Sequence, residues 1–182
     1  MEERLCFLDF ETTGVIDYIN DPIEIGAILV DYENLKEITH FSSYIKPLCK
    51  QTFSEEAFKV HGIPYDAVKY ALTPFQVISK LASEFGAGYR FIGWNIGFDV
   101  AFFKKMCYYS GMLEYYNNLN YRSIDIQSIV DYLKRKFILP WELYSLSNLA
   151  KFFNIPRSEK HNALECANIS LQVYKNLLAM ED

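Results

Sequence analysis

The stretch Leu5-Cys6-Phe7-Leu8-Asp9-Phe10-Glu11 sets two carboxylates one residue apart at the end of an apolar run, and Thr12-Thr13-Gly14 follows as a turn. A short apolar run closed by a turn reads as a buried strand. Alternate side chains on a strand share a face, so Asp9 and Glu11 point together and Phe10 points into the opposite layer. Two anions held side by side at the end of a core strand repel each other. A cation, a shared proton or a basic side chain has to offset that repulsion. Magnesium suits such a pair, because it takes a few carboxylate oxygens and keeps waters for chemistry. Taken alone, the triplet is better read as a strand that ends at the surface with two solvated acids, since such triplets are common. The rest of the chain decides between these readings.

A length of 182 residues implies one domain spanning 1–182, with room for a full core. The 51% hydrophobic and 23% charged content fits a soluble globular chain, and 16% aromatics allows bulky core layers or stacking surfaces. A net charge of -5 argues against a broad basic surface that coats duplex nucleic acid. It leaves room for a small cleft in which metal ions neutralise one phosphate. Cys6, Cys49, Cys107 and Cys166 lie far apart, which excludes a Cys-x-x-Cys zinc ribbon and argues against a disulfide framework. A reducing cytoplasm fits that usage. Met1-Glu2-Glu3-Arg4 does not read as a signal peptide, and no apolar segment reaches the ~18 residues of a membrane span.

Pro22 to Asp31 and Glu37 to Ile45 read as second and third strands, which with the first make an antiparallel meander. Ser54 with Glu55 and Glu56 starts a short helix that Gly62 and Pro64 end. Thr73-Pro74 opens a helix to about Phe85. Tyr89 to Trp94 is a fourth strand, Asn95 caps a helix from Phe98 to Ser110, and Asp99 lies in its first turn. Phe98, Phe102 and Met106 share one face of that helix, with Lys104 and Lys105 directed elsewhere. Tyr121 to Ile126 is a fifth strand running into a helix to about Phe137. Leu146 to Phe153, capped by Ser145, and Asn162 to Met180 are the last helices. The order β-β-β-α-β-α-β-α indicates an α/β fold with a mixed five-stranded sheet and helices on both faces.

Three motifs then fall at element ends: Asp9-Phe10-Glu11-Thr12-Thr13-Gly14, Asn95-Ile96-Gly97-Phe98-Asp99 and His161-Asn162-Ala163-Leu164. Together they resemble the DEDD superfamily of 3′–5′ exonucleases. The histidine marks the DEDDh branch, the group of the polymerase III epsilon proofreading subunit and ribonuclease T. The likeness covers Leu5 to about Leu178, and Val60-His61-Gly62-Ile63 resembles a segment of the proofreading group. The resemblance implies a ribonuclease H-like fold and a two-metal phosphodiester hydrolase. Asp9 would bridge two Mg²⁺ or Mn²⁺ ions ~3.5–4 Å apart, Glu11 would ligate the first and Asp99 would hold the second through water. His161 would act as general base. Thr12, Thr13, Gly14 and Asn95 would lie along the terminal nucleotide, and nearby aromatic side chains would stack its base, favouring the 3′ end of single-stranded DNA or RNA. A DNA polymerase is a further expected partner.

One position departs from the pattern. The family places an aspartate five positions after the histidine, where this chain has Cys166. A thiol is a poor ligand for a hard cation and is mostly neutral at pH 7. Cys166 also falls on a stripe with Ile169, Val173 and Leu177, which gives it a place in the core. Glu165 is adjacent but roughly 100 degrees around the helix. Three accounts stay open: an enzyme with a weakened first-ion site better served by Mn²⁺, a relative that binds a 3′ end or a polymerase without cutting, and an introduced change.

Overall fold

The computed structural model describes residues 3–158 and 162–180. Arg4–Thr12 forms β1, Pro22–Asp31 forms β2 and Glu37–Tyr44 forms β3. β1 pairs antiparallel with β2, and β2 with β3, as the meander reading expects. Glu55–His61 (α1) starts at Ser54, whose hydroxyl accepts from Ala57 N–H, and stops at Gly62 in the left-handed region. Tyr65–Val68 (α2) is a single turn. Pro74–Phe85 (α3) begins with a full capping box between Thr73 and Gln76 and has Pro in its first turn. Arg90–Gly93 (β4) then lies parallel to β1.

Ile96–Tyr109 (α4), Leu113–Asn117 (α5), Ile126–Arg135 (α6), Leu146–Phe152 (α7) and Ala163–Leu178 (α8) complete the helices. The fifth strand, β5, is Ile124–Asp125 alone, two residues rather than the expected six. The sheet order is β3-β2-β1-β4-β5, so the five-stranded mixed sheet of the sequence reading is present.

The period-2 alternation of β1 sorts the core into two layers. Cys6, Leu8 and Phe10 pack with Val77, Leu81 and Phe102 of α3 and α4. Leu5 and Phe7 pack with Val130, Leu149, Ala167 and Val173 of α6, α7 and α8. Helices therefore cover both faces. Asp9 and Glu11 continue the Leu5 and Phe7 face, at the C-terminal end of the strand where the α8 side opens. Cys166, Ile169, Val173 and Leu177 are all buried, as their stripe requires.

α8 approaches the sheet closely because of Gly26. A Cβ there would stand 2.1 Å from Leu164 N and 2.2 Å from Ala163 C. Glu24, across from Glu11 in the β1–β2 register, reaches the same helix start. Its carboxylate accepts from Ala163 N–H at 3.2 Å and from Asn162 Nδ2 at 3.1 Å. Those bonds satisfy a helix N-terminus with an anion, where the dipole favours one. Lys105 points off the Phe98 face, as expected, and meets buried partners there. Its ammonium donates to Asn20 O at 2.6 Å and to the buried Asp21 Oδ1 at 3.1 Å. The other Asp21 oxygen accepts from Leu48 and Cys49 N–H, so this pair ties α4 to the loop beyond β3.

Candidate functional site

The three acids of the sequence reading meet in one cleft. A volume of about 330 Å³ is bounded by Asp9 and Glu11 from β1, Asn95, Phe98 and Asp99 from the start of α4, Ser147 from α7, Arg157, and Cys166 from α8. Asp99 reaches over the end of β1, where Phe10 N–H donates to its Oδ1 at 2.8 Å. That bond fixes the α4 carboxylate against the strand that carries the other two. One donor atom each from Asp9, Glu11 and Cys166 lie within 4.8 Å of one another. Cys166, where the resemblance read from the sequence expected an aspartate, supplies the third donor of this group. Glu165 does not replace it: its carboxylate turns away to accept from Ser158 N–H at 2.7 Å and from the Ser158 hydroxyl.

Burial and crowding make these acids reluctant to ionise. Burial pushes Asp9 well above the ordinary carboxylate range, and Asp99 and Glu11 add to the shift. Burial, with Glu24 beside it, pushes Glu11 up to about 7, against the pull of Arg157. Asp99 is raised by burial, opposed first by the Phe10 N–H. Burial raises the Cys166 thiol, and Asp9 raises it further, so it stays neutral at pH 7. A divalent cation bound among these carboxylates would favour their ionised forms and offset their mutual repulsion.

Sequence reasoning did not find Arg157 or Glu24. Arg157 follows α7, where Asn154 takes a left-handed conformation (φ 55°) and Ile155 N–H closes back on Ala150 O. The reversal sends the Arg157 guanidinium to the Ser147 hydroxyl and to within 3.8 Å of Cys166 Sγ. No local signal in the sequence marks either residue, because their partners lie on other elements.

The other expected site residues are placed as follows. Thr12 and Gly14 line a second, more apolar recess of about 570 Å³, together with Phe10, Glu11, Ile16, Val60, His61 and Phe98. Phe10, Glu11 and Phe98 border both spaces, so the recess opens off the acidic cleft. Thr13 does not face it. Its N–H donates to Asp21 O, its hydroxyl is shared between Asp21 N–H and Thr52, and it is fully buried. It holds the loop together and has no N–H to offer a nucleotide. Asn95 sits at the cap position of α4 in a left-handed conformation (φ 53°), but its side chain does not cap the helix. Instead its N–H donates to Asp125 Oδ1 at 2.9 Å, fixing the turn that presents Asp99. His61 is held with Nδ1 accepting from Ile63 N–H at 2.9 Å. His161 lies outside the described residues.

The exonuclease family model of ribonuclease T type matches residues 6–174. This chain belongs to the exonuclease family. It is 27% identical over 180 residues to the PolC-type DNA polymerase III of Caldanaerobacter subterraneus subsp. tengcongensis, covering 98% of this chain and 12% of that protein. Product-bound exonuclease I superposes with a TM-score of 0.82 at 19% identity, covering 98% of this chain and 43% of that one. The zinc-bound complex of E. coli exonuclease I with single-stranded DNA gives a TM-score of 0.82 at 19% identity, covering 96% of this chain and 40% of that one. The chain therefore spans less than half the length of each of these relatives, and the structural likenesses establish the ribonuclease H-like fold.

Exonucleases of this family use divalent metal ions. Asp9, Glu11 and Asp99 all line one space and would offer carboxylate oxygens to such ions, while the donor atoms that lie within 4.8 Å of one another are those of Asp9, Glu11 and Cys166. An ion beside Asp9 and Glu11, the first of the expected pair, is poorly served, because the third donor there is a neutral thiol faced by a guanidinium.

Proposed function

We propose that the chain is a divalent-cation-dependent 3′–5′ exonuclease that removes nucleotides from the 3′ end of single-stranded nucleic acid. The observation that carries this reading is the meeting of Asp9, Glu11 and Asp99 in a cleft continuous with an apolar, aromatic-edged recess. Asp9, Glu11 and Asp99 would hold Mg²⁺ or Mn²⁺. A bound ion of this class supplies charge neutralisation at the phosphate and a water of lowered pKa. Phe10 N–H keeps Asp99 oriented for that task. Phe98 and the Val60–His61 wall would stack and enclose the terminal base, which requires an unpaired strand. Thr12 and Gly14 would border its sugar, and Asn95 would lie beside the phosphate. His161 is proposed as the base that takes a proton from the attacking water, on the strength of the family resemblance.

The PolC-type DNA polymerase III relative supports DNA and a polymerase setting, and the single-stranded DNA bound by exonuclease I supports the same substrate; proofreading or repair is the task proposed for it. RNA end trimming would use the same chemistry. A cytoplasmic location is proposed from the cysteine usage. One observation favours a second reading, a 3′-end-binding module without turnover: Cys166 in the place of an acid. A single-stranded oligonucleotide labelled at its 5′ end separates the two. Incubated with Mn²⁺, it should shorten one nucleotide at a time and stop on chelation. Binding without any ladder would favour the second reading, and cuts inside the strand would refute both.

A further inference from the structure

Arg157 provides a fixed positive charge at the corner of the cleft where the carboxylate count falls short. Its guanidinium touches Ser147 on one side and comes within 3.8 Å of Cys166 Sγ on the other. Cys166 belongs to the same cluster as Asp9 and Glu11, all with donor atoms inside 4.8 Å of one another. A divalent ion seated against Cys166 would gain no anionic oxygen from it and would face the guanidinium at short range, where repulsion in a low-dielectric cleft is strong. Both features make this corner less hospitable to a dication. One negative charge is absent, and one permanent positive charge stands beside the gap. A guanidinium also grips two phosphate oxygens at once, which is a service a metal ion renders in a phosphodiester site.

We propose, on the function given above, that Arg157 takes the place of one of two divalent cations, so that this cleft binds a single ion between Asp9 and Asp99. The guanidinium then supplies the second positive charge and a contact to the substrate phosphate. The count of ions tests this on the whole chain, by Mn²⁺ titration followed by electron paramagnetic resonance and calorimetry. The wild-type protein should bind one ion. Cys166→Asp should still bind one, because Arg157 pairs with the new carboxylate. Cys166→Asp combined with Arg157→Gln should bind two. Arg157→Gln alone should weaken binding of a nucleoside monophosphate by about tenfold or more, through loss of a charged hydrogen bond, and Arg157→Lys should recover much of it. Two ions in the wild type, or a second ion in Cys166→Asp alone, would overturn the inference and leave the function standing. Zero ions would overturn the function as well. Should the double variant fail to fold, the counts for the wild type and Cys166→Asp decide the matter.

Discussion

Replacing Glu11 by Gln should make the cation-free protein more stable at neutral pH and less responsive to divalent ions. Burial and Glu24 raise the folded-state pKa of Glu11 from 4.5 to about 7. The unfolded carboxyl therefore ionises first as pH rises, while the folded one keeps its proton until about pH 7. Stability of the cation-free protein falls across that window and levels off above it. The gap corresponds to about 3 kcal/mol, at 1.36 kcal/mol per pKa unit. Part of that is recovered by relaxation of the surroundings, so Glu11→Gln should gain about 2–3 kcal/mol at pH 8, or roughly 5–10 °C in Tm for a chain of this size. At pH 4 the variant and wild type should melt together. Excess Mn²⁺ should raise the wild-type Tm at pH 8 with release of protons, and should raise that of the variant much less. Thermal unfolding monitored by circular dichroism, with chelator and with Mn²⁺, reads all of this. A variant less stable than wild type in chelator at pH 8, or an equal gain at both pH values, would refute the electrostatic reasoning.

Gly26→Ala would drive a methyl group into the backbone of Ala163 and Leu164; it should cost about 3 kcal/mol or more in urea unfolding, because backbone has to move. Lys105→Met should cost about 2–4 kcal/mol in the same assay, since it strands the buried Asp21 carboxylate. Phe98→Ala should weaken binding of a single-stranded oligonucleotide by about tenfold while leaving the Mn²⁺ affinity unchanged, the loss expected for one stacked base. Fluorescence anisotropy checks the first part and calorimetry the second.

Much of the fold was legible because its signals are local. The meander follows from apolar runs separated by turns, and α3 is bounded by Thr73-Pro74 and Gly86, residues whose backbone preferences mark helix ends. Short elements carried no such signal. α2 and α5 are single turns with too few residues to show a period, and α5 owes its place to packing of Tyr115 and Tyr116 on Phe103. β5 shrank because residues 121–123 turn before the chain joins β4, and its two residues pair only with Ile92 and Gly93.

In the site, Asp9, Glu11, Asp99 and Cys166 were legible through motif spacing, and the structure brings them together. Thr13 misled because a threonine in a turn reads the same whether it faces a ligand or ties a loop. Asn95 misled because its position at the helix start is right while its side chain does not cap. Arg157 and Glu24 act through contacts with elements far along the chain. Glu24 reaches Asn162 and Ala163 across 138 and 139 positions, and only the folded sheet shows it.

The central claim is that these carboxylates exist to hold a cation over the end of β1. A crystal soaked in Mn²⁺ and measured for anomalous scattering tests it most directly. A peak bonded to Asp9 and Asp99, absent in Asp9→Asn crystals soaked alike, is the predicted result. Density elsewhere, or a cleft without a peak at Mn²⁺ concentrations that stabilise the protein in solution, would contradict the account.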